Sequence, residues 1–276
     1  MTAAGIDSKM KTGLVITRPG KKIRLPKIDP GATAGGTKEK ALARVSALQE
    51  KLRGWQEVFY AEHQRSLLIV FQAMDTGGKD GAVKSLCAGL NPSGLHITSF
   101  KAPTTEELDH DYLWRIHRAA PARGMIGIWN RSHYEDVLVA RVHKLVAKKV
   151  WKARYDQINR FEKNLHENGT TILKFMLHIS KEEQKRRLQA RLDDPEKRWK
   201  FNVADIKERA LWDDYQQAHE DAINCCTTDF APWHIVPSDH KWARNLAIIE
   251  TVVRAFEDMS PRYPKLTFDP KEVSFD

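Results

Sequence analysis

The sequence predicts a single α/β domain, a three-layer fold in which a parallel sheet is flanked by helices. Three observations predict it. Short apolar runs alternate with longer stretches of helical periodicity, as in strands joined by helical crossovers. The first run, at 66–73, is continuously apolar rather than alternating, which suits a strand buried on both faces. The chain of 276 residues carries 41 % apolar and 29 % charged side chains, ordinary for a globular protein, and shows no internal repeat or second domain.

The elements follow in order. Residues 1–37 read as a basic N-terminal extension: Arg18-Pro-Gly-Lys-Lys-Ile-Arg-Leu-Pro-Lys27 mixes charge with turn formers, and Gly31-Ala-Thr-Ala-Gly-Gly-Thr37 reads as a flexible link. From Lys38 to His63, Leu42, Val45, Leu48, Leu52, Trp55, Val58 and Phe59 recur at helical spacing, predicting a long amphipathic helix. Strands are predicted at 66–73, 95–100, 124–129, 170–179 and 233–237. Helices are predicted at 82–90, 151–167, 181–192 and 243–256. Residues 38–276 thus form the domain.

Charge narrows the partners without choosing one. Lysine and arginine number 45 against 36 acids, a net +9, which attracts nucleic acid, membrane surfaces, nucleotides and inorganic polyanions alike. No apolar run reaches the roughly 18 residues of a spanning helix, and the N-terminus lacks the apolar core of a signal peptide. Cys87, Cys225 and Cys226 are odd in number, with two adjacent, so a reducing cytoplasm is expected.

Three clusters carry chemistry. The first, Met74-Asp-Thr-Gly-Gly-Lys-Asp-Gly81, follows a predicted core strand and precedes a helix, the setting of a phosphate-binding loop. It matches G-x-x-x-x-G-K-[ST] at Gly78 and Lys79 but places Ala73 at the first glycine and Asp80 at the hydroxyl position. Carboxylates at Asp75 and Asp80 repel phosphate unless a divalent cation intervenes. The loop is therefore either no phosphate site or one in which acids act through Mg²⁺.

The second cluster, Asn130-Arg-Ser-His-Tyr-Glu-Asp136, ends the strand at 124–129, where ligands gather in parallel sheets. Arg131 suits phosphate oxygens, and Glu135 and Asp136 are candidates for metal or nucleotide hydroxyls. Ser132 suits a helix cap, and His133 is read as structural rather than as a base. The third cluster runs from Lys185 to Lys200. Arg187 and Arg191 share a helical face there, and Lys197, Arg198 and Lys200 continue the charge beyond Pro195. Its position directly after a core strand suggests a basic lid at about 181–205, of the kind that neutralises a transferred phosphoryl group.

These runs resemble the polyphosphate kinase 2 family. The resemblance spans about residues 40–258. It rests on the two motifs above, on Arg187-Leu-Gln-Ala-Arg-Leu-Asp-Asp-Pro-Glu-Lys-Arg-Trp-Lys-Phe201, on Ala210-Leu-Trp-Asp-Asp-Tyr215, on Ala231-Pro-Trp233 and on Asp239-His-Lys-Trp-Ala-Arg-Asn-Leu246. It implies a P-loop fold similar to thymidylate kinase, with a helical lid. It also implies metal-dependent phosphoryl transfer, with Mg²⁺ or Mn²⁺, between inorganic polyphosphate and nucleotides. Carried over by position, Asp75, Lys79 and Arg131 are the expected catalytic residues, with Asp75 at the metal. Gly77, Gly78, Asp80, Gly81, Asn130, Glu135, Asp136, Arg187, Arg191, Lys197 and Lys200 are the expected nucleotide- and phosphate-binding residues. Asn130 stands where many relatives carry aspartate, which shifts metal duty to Asp75. The Ser-His-Tyr-Glu-Asp form resembles the subgroup that accepts both AMP and ADP, with ATP as a product. The resemblance further implies a homo-oligomer, dimer or tetramer. Neither a membrane nor nucleic acid is expected as partner, because the acids of both motifs would repel a nucleic-acid backbone. The alternative is an ATP-dependent nucleoside monophosphate kinase on the same fold.

Overall fold

The computed structural model describes residues 12–274. Six strands form one sheet in the order β1-β6-β5-β2-β4-β3. They are β1 (Val15–Ile16), β2 (Ser66–Ala73), β3 (Leu95–Ser99), β4 (Ile126–Asn130), β5 (Thr170–His178) and β6 (Trp233–Pro237). All pairs are parallel except β1 with β6. The helices are α1 (Lys38–Glu62), α2 (Lys79–Leu86), α3 (Thr105–Leu108), α4 (Trp114–Arg118), α5 (Val139–Val142), α6 (Lys148–Glu167), α7 (Lys181–Asp193), α8 (Ala204–Ala210), α9 (Trp212–Cys225) and α10 (Lys241–Met259).

Alternation along the central strand builds the two halves of the core. Leu67, Ile69 and Phe71 of β2 point to the layer of α1, α2 and α10, where they meet Leu52, Phe59, Ile248 and Phe256. Leu68 and Val70 point the other way, to Trp129, Tyr134, Ile158 of α6 and Ile223 of α9. Both sides are dry, which is why this strand reads as an unbroken apolar run.

The five strands predicted from sequence are all present. The sixth was invisible there. Two residues leave no periodicity, and β1 exists only because it pairs with β6, Val15 opposite Ile235. The segment expected as a basic extension, with a flexible link at 31–37, is strapped to the domain from Thr12 onward. Leu25 is fully buried, its amide donates to Glu220 Oε2 at 2.9 Å, and Ile23 N donates to Asn224 Oδ1 at 2.8 Å. Residues 1–11 lie outside the described residues. Among the described residues, no helix is long and apolar enough to cross a membrane.

Candidate active site

The site is built at the carboxyl ends of β2 and β4, which lie side by side with Phe71 opposite Asn130. Beyond β2 the chain turns sharply: Thr76 has φ 64° and Gly78 φ 99°. Gly77 has no room for a side chain, because a Cβ would collide with Ala73 Cβ at 2.6 Å and Met74 O at 2.8 Å. The turn delivers Lys79 and Asp80 into the first turn of α2, behind the cap at Gly78. Beyond β4, Arg131 also adopts a left-handed backbone at φ 65°, a strained conformation of the kind that gathers at functional sites. Its amide is held by Phe71 O at 3.1 Å. Ser132 then caps the short turn 133–136, accepting from Tyr134 N at 3.2 Å.

Two cavities open here and share Asp75 and Arg131 at their junction. The larger, about 760 Å³, is a cleft over the loop. Asp75, Gly78, Lys79, Asp80, Gly81, Asn130 and Arg131 line it from the two strand ends, and Arg187, Arg191, Lys197 and Lys200 line it from α7 and the segment after it. The smaller, about 280 Å³, is lined by Gln72, Glu135, His143, Glu208, Tyr215 and His219 among others.

The polar contacts set the charges in place. Arg131 Nη2 lies 3.3 Å from Asp75 Oδ1, and Asn130 Nδ2 donates to Asp80 Oδ1 at 2.7 Å. Lys79 Nζ donates to Ala73 O at 3.2 Å. Burial and then the facing Arg131 push the Lys79 ammonium below the ordinary lysine range, while Asp75, Glu135 and Asp80 pull it back. Burial also raises Glu135, against the pull of Arg131 and Lys79.

Most residues expected from the sequence meet in this cleft. Asp136 does not line either cavity. Its carboxylate pairs with Arg154 Nη1 at 3.1 Å, and burial holds its pKa up at about 6. Arg187 borders the cleft, but much of its guanidinium is spent on the protein. It donates to Thr76 O and Gly77 O at 3.2 Å each, to Ser238 O at 2.5 Å and to Glu183 Oε1 at 2.7 Å, clasping the loop from α7. His133 is fully buried against Glu162, a structural place as read from the sequence.

Sequence reasoning missed Lys101, Lys241, Arg244 and Asp205 in the cleft and His143, Glu208, Tyr215 and His219 in the smaller cavity. Only Lys241, Arg244 and Tyr215 fell within matching runs, and no local pattern distinguished them from surface or core positions. His219 sits in a dry place that holds it neutral, its pKa lowered to about 3.

Comparison with known proteins agrees with this geometry. The sequence model of Polyphosphate kinase 2 (PPK2) matches residues 36–264. The chain is 48 % identical over 250 residues to the AMP/ADP-polyphosphate phosphotransferase of Meiothermus ruber, covering 90 % of this chain and 94 % of that protein. It is 39 % identical to the ADP-polyphosphate phosphotransferase of Rhodopseudomonas palustris, covering 94 % of each. The crystal structure of polyphosphate kinase 2 from Arthrobacter aurescens TC1 superposes with a TM-score of 0.89 at 43 % identity, over 92 % of each chain. Motif order, the strand-end cleft and the match along most of the chain lead to one conclusion: this protein belongs to the polyphosphate kinase 2 family.

Proposed function

We propose that the protein transfers a phosphoryl group between inorganic polyphosphate and nucleotides, converting AMP to ADP and ADP to ATP. The observation that carries this reading is the balance of charge in the large cleft. Nine lysines and arginines face three carboxylates, Asp75, Asp80 and Asp205. That excess suits a long polyanion. The junction with a second cavity at Asp75 and Arg131 gives two phosphorylated reactants separate approaches to one point.

The chemistry asks little of the protein beyond position and charge. Lys79 and Arg131 neutralise the transferred group. The accepting phosphate is already ionised at neutral pH, so no strong base is needed. The segment 181–205 acts as a lid that carries its cations over the donor. Domain organisation follows the same reading: residues 38–276 carry the phosphotransferase machinery, and the basic segment before them is built onto the same domain through β1 and Leu25.

A divalent metal fits this site as a shared ligand rather than in a protein cage. Among the described residues no group of three or more His, Cys, Asp or Glu side chains is arranged to hold a metal ion. Mg²⁺, however, is ordinarily held by one or two carboxylates together with substrate phosphates. Asp75, half-exposed at the junction with a single long contact to Arg131, is the residue that would hold Mg²⁺ or Mn²⁺. The ion would supply charge neutralisation on the phosphate oxygens.

The family resemblance and the exposed Tyr263, Leu266 and Phe268 near the C-terminus support a homo-oligomer, dimer or tetramer. Three free cysteines support a cytoplasmic setting. The carboxylates at the strand ends argue against nucleic acid as a partner.

The test is a donor experiment. Purified protein is given AMP or ADP with Mg²⁺ and either polyphosphate or ATP, beside Lys79→Ala. ATP formed from ADP and polyphosphate, and reduced about 10²–10³-fold in the variant, is the expected result. Transfer from ATP alone would leave a conventional nucleoside monophosphate kinase.

A further inference from the structure

Three lysine or arginine side chains are buried among the described residues: Arg115, Lys174 and Arg244. Two have a carboxylate. Arg115 Nη1 meets Glu107 Oε2 at 3.3 Å, and Lys174 Nζ meets Glu162 Oε2 at 2.6 Å. Arg244, 2 % exposed, has none within 4 Å among the described residues, although a buried charge is costly unless paired. Its hydrogen-bond partners are neutral. Nε and Nη2 donate to Asn245 Oδ1 at 3.0 and 2.7 Å, and Nη1 donates to Gly78 O at 3.1 Å. A guanidinium has five N–H donors, so two remain without a protein acceptor among the described residues.

Those donors lie at the wall of the large cleft, which Arg244 and Lys241 both line. The guanidinium rests on the loop itself: a Cβ at Gly78 would collide with Nη1, and one at Gly81 would stand 3.3 Å from Nη2. It therefore sits beside the first turn of α2, whose free amides attract anions. Lys241 begins α10, three residues before Arg244 and on the same helical face. Arg187 crowds both from α7. Burial and then Arg187 lower Arg244 to about 10, and burial followed by Arg187 and Arg244 lowers Lys241.

We infer that Arg244, with Lys241, is a binding residue for the polyphosphate chain, one of whose phosphates supplies the missing counter-charge between the start of α2 and the start of α10. The inference rests on the proposed function and deepens it, since it assigns this arm to the polyanion and not to the nucleotide. Arg187 then holds the loop while Arg244 both holds it and touches the donor. A chain of many phosphates reaches such an arm without losing its hold on Lys79.

Arg244→Gln and Arg244→Lys test this, read by direct titration with polyphosphate of defined length and by steady-state kinetics. Arg244→Gln is expected to weaken polyphosphate binding and raise its KM about tenfold. The KM for ADP should stay within about twofold, and the slope of log affinity against log salt should fall by about one. Arg244→Lys keeps the charge and is expected to restore most of the affinity. The Tm of ligand-free Arg244→Gln should stay level, because relief of an unpaired buried charge offsets the lost bonds to Gly78 O and Asn245 Oδ1, while the rise in Tm on adding polyphosphate shrinks. Equal losses for ADP and polyphosphate with a lowered ligand-free Tm would make Arg244 a structural clasp and overturn the inference, as would unchanged polyphosphate affinity. Titration needs no turnover, so wild-type protein that binds polyphosphate but transfers only from ATP would defeat the proposed function separately.

Discussion

Lys174 and Lys79 carry the same charge, one in strand β5 and the other at the start of α2 beyond the neighbouring strand β2, yet they serve opposite ends. Lys174, wholly buried in the middle of β5, is fully answered by the protein: Glu162 at 2.6 Å, Cys226 O at 2.6 Å and the Tyr134 hydroxyl at 3.0 Å. Glu162 also accepts from Tyr134 OH at 2.8 Å and contacts His133 Nε2 at 3.2 Å. Burial pushes the Glu162 carboxyl up, but Lys174 and the His133 contact outweigh it and hold the group below the usual range. Lys79, half-buried in the strand-end cleft, donates to a single carbonyl and is held down by burial and then by Arg131. A charge neutralised from within fixes structure, here the turn 133–136 that carries Glu135. Charges left in excess at a strand end are completed from outside.

The largest effect should come from breaking the answered pair. Lys174→Met leaves the buried Glu162 without its lysine counter-charge, and should cost about 3–5 kcal/mol in denaturant unfolding. Replacing both, Lys174→Met with Glu162→Leu, should recover most of that loss, since the pair's attraction largely offsets its own desolvation. A single variant as stable as wild type would erase the contrast between the two regions.

A second, smaller effect separates them by pH. His234, a buried residue of β6, has its pKa lowered by burial to about 4, and His219 to about 3. The unfolded chain takes up protons near pH 6.5 that the native state refuses, so stability falls as pH drops from about 6.5 towards 4. Asp136, held up at about 6, works in the opposite sense between its unfolded and folded values. Subtracting the stability curve of His234→Gln from that of wild type isolates one histidine, and the difference should grow steadily over that window. A flat difference would show that the buried layer does not titrate as described.

The smallest effect belongs to the open side. Lys197 and Lys200 are exposed, and Lys197 pairs with Asp194 on its own segment. Replacing either with alanine should weaken polyphosphate binding a few-fold at low salt and reduce the salt slope by about one. Tm should not move. Salt thus probes the cleft as pH probes the buried layer, and a lid lysine that shifted Tm instead would belong with Lys174.

Much of this was legible before any coordinates. The buried strands announced themselves by unbroken apolar runs, and the glycine loop by its place between strand and helix. Asp75, Lys79, Asn130 and Arg131 follow, because each lies within a residue or a turn of a strand end. Asp136 shows the limit: one residue beyond Glu135, its direction depends on Arg154 of α6, eighteen positions away. Arg187 was legible as a cation near the site, but not as a clasp on Thr76 O and Gly77 O.

By itself, then, the sequence determined the five parallel strands, the helices α1, α2, α6, α7 and α10, their alternation and the chemistry at the two strand ends, since periodicity and turn residues act over a few positions of chain. The tertiary structure alone decided which charges are answered. β1 needed β6, Lys174 needed Glu162, and Arg244 was left without an acid because α10 folds its first turn onto Gly78. Neutralising a charge requires a partner within a few ångströms in space, and separation along the chain says nothing of that distance.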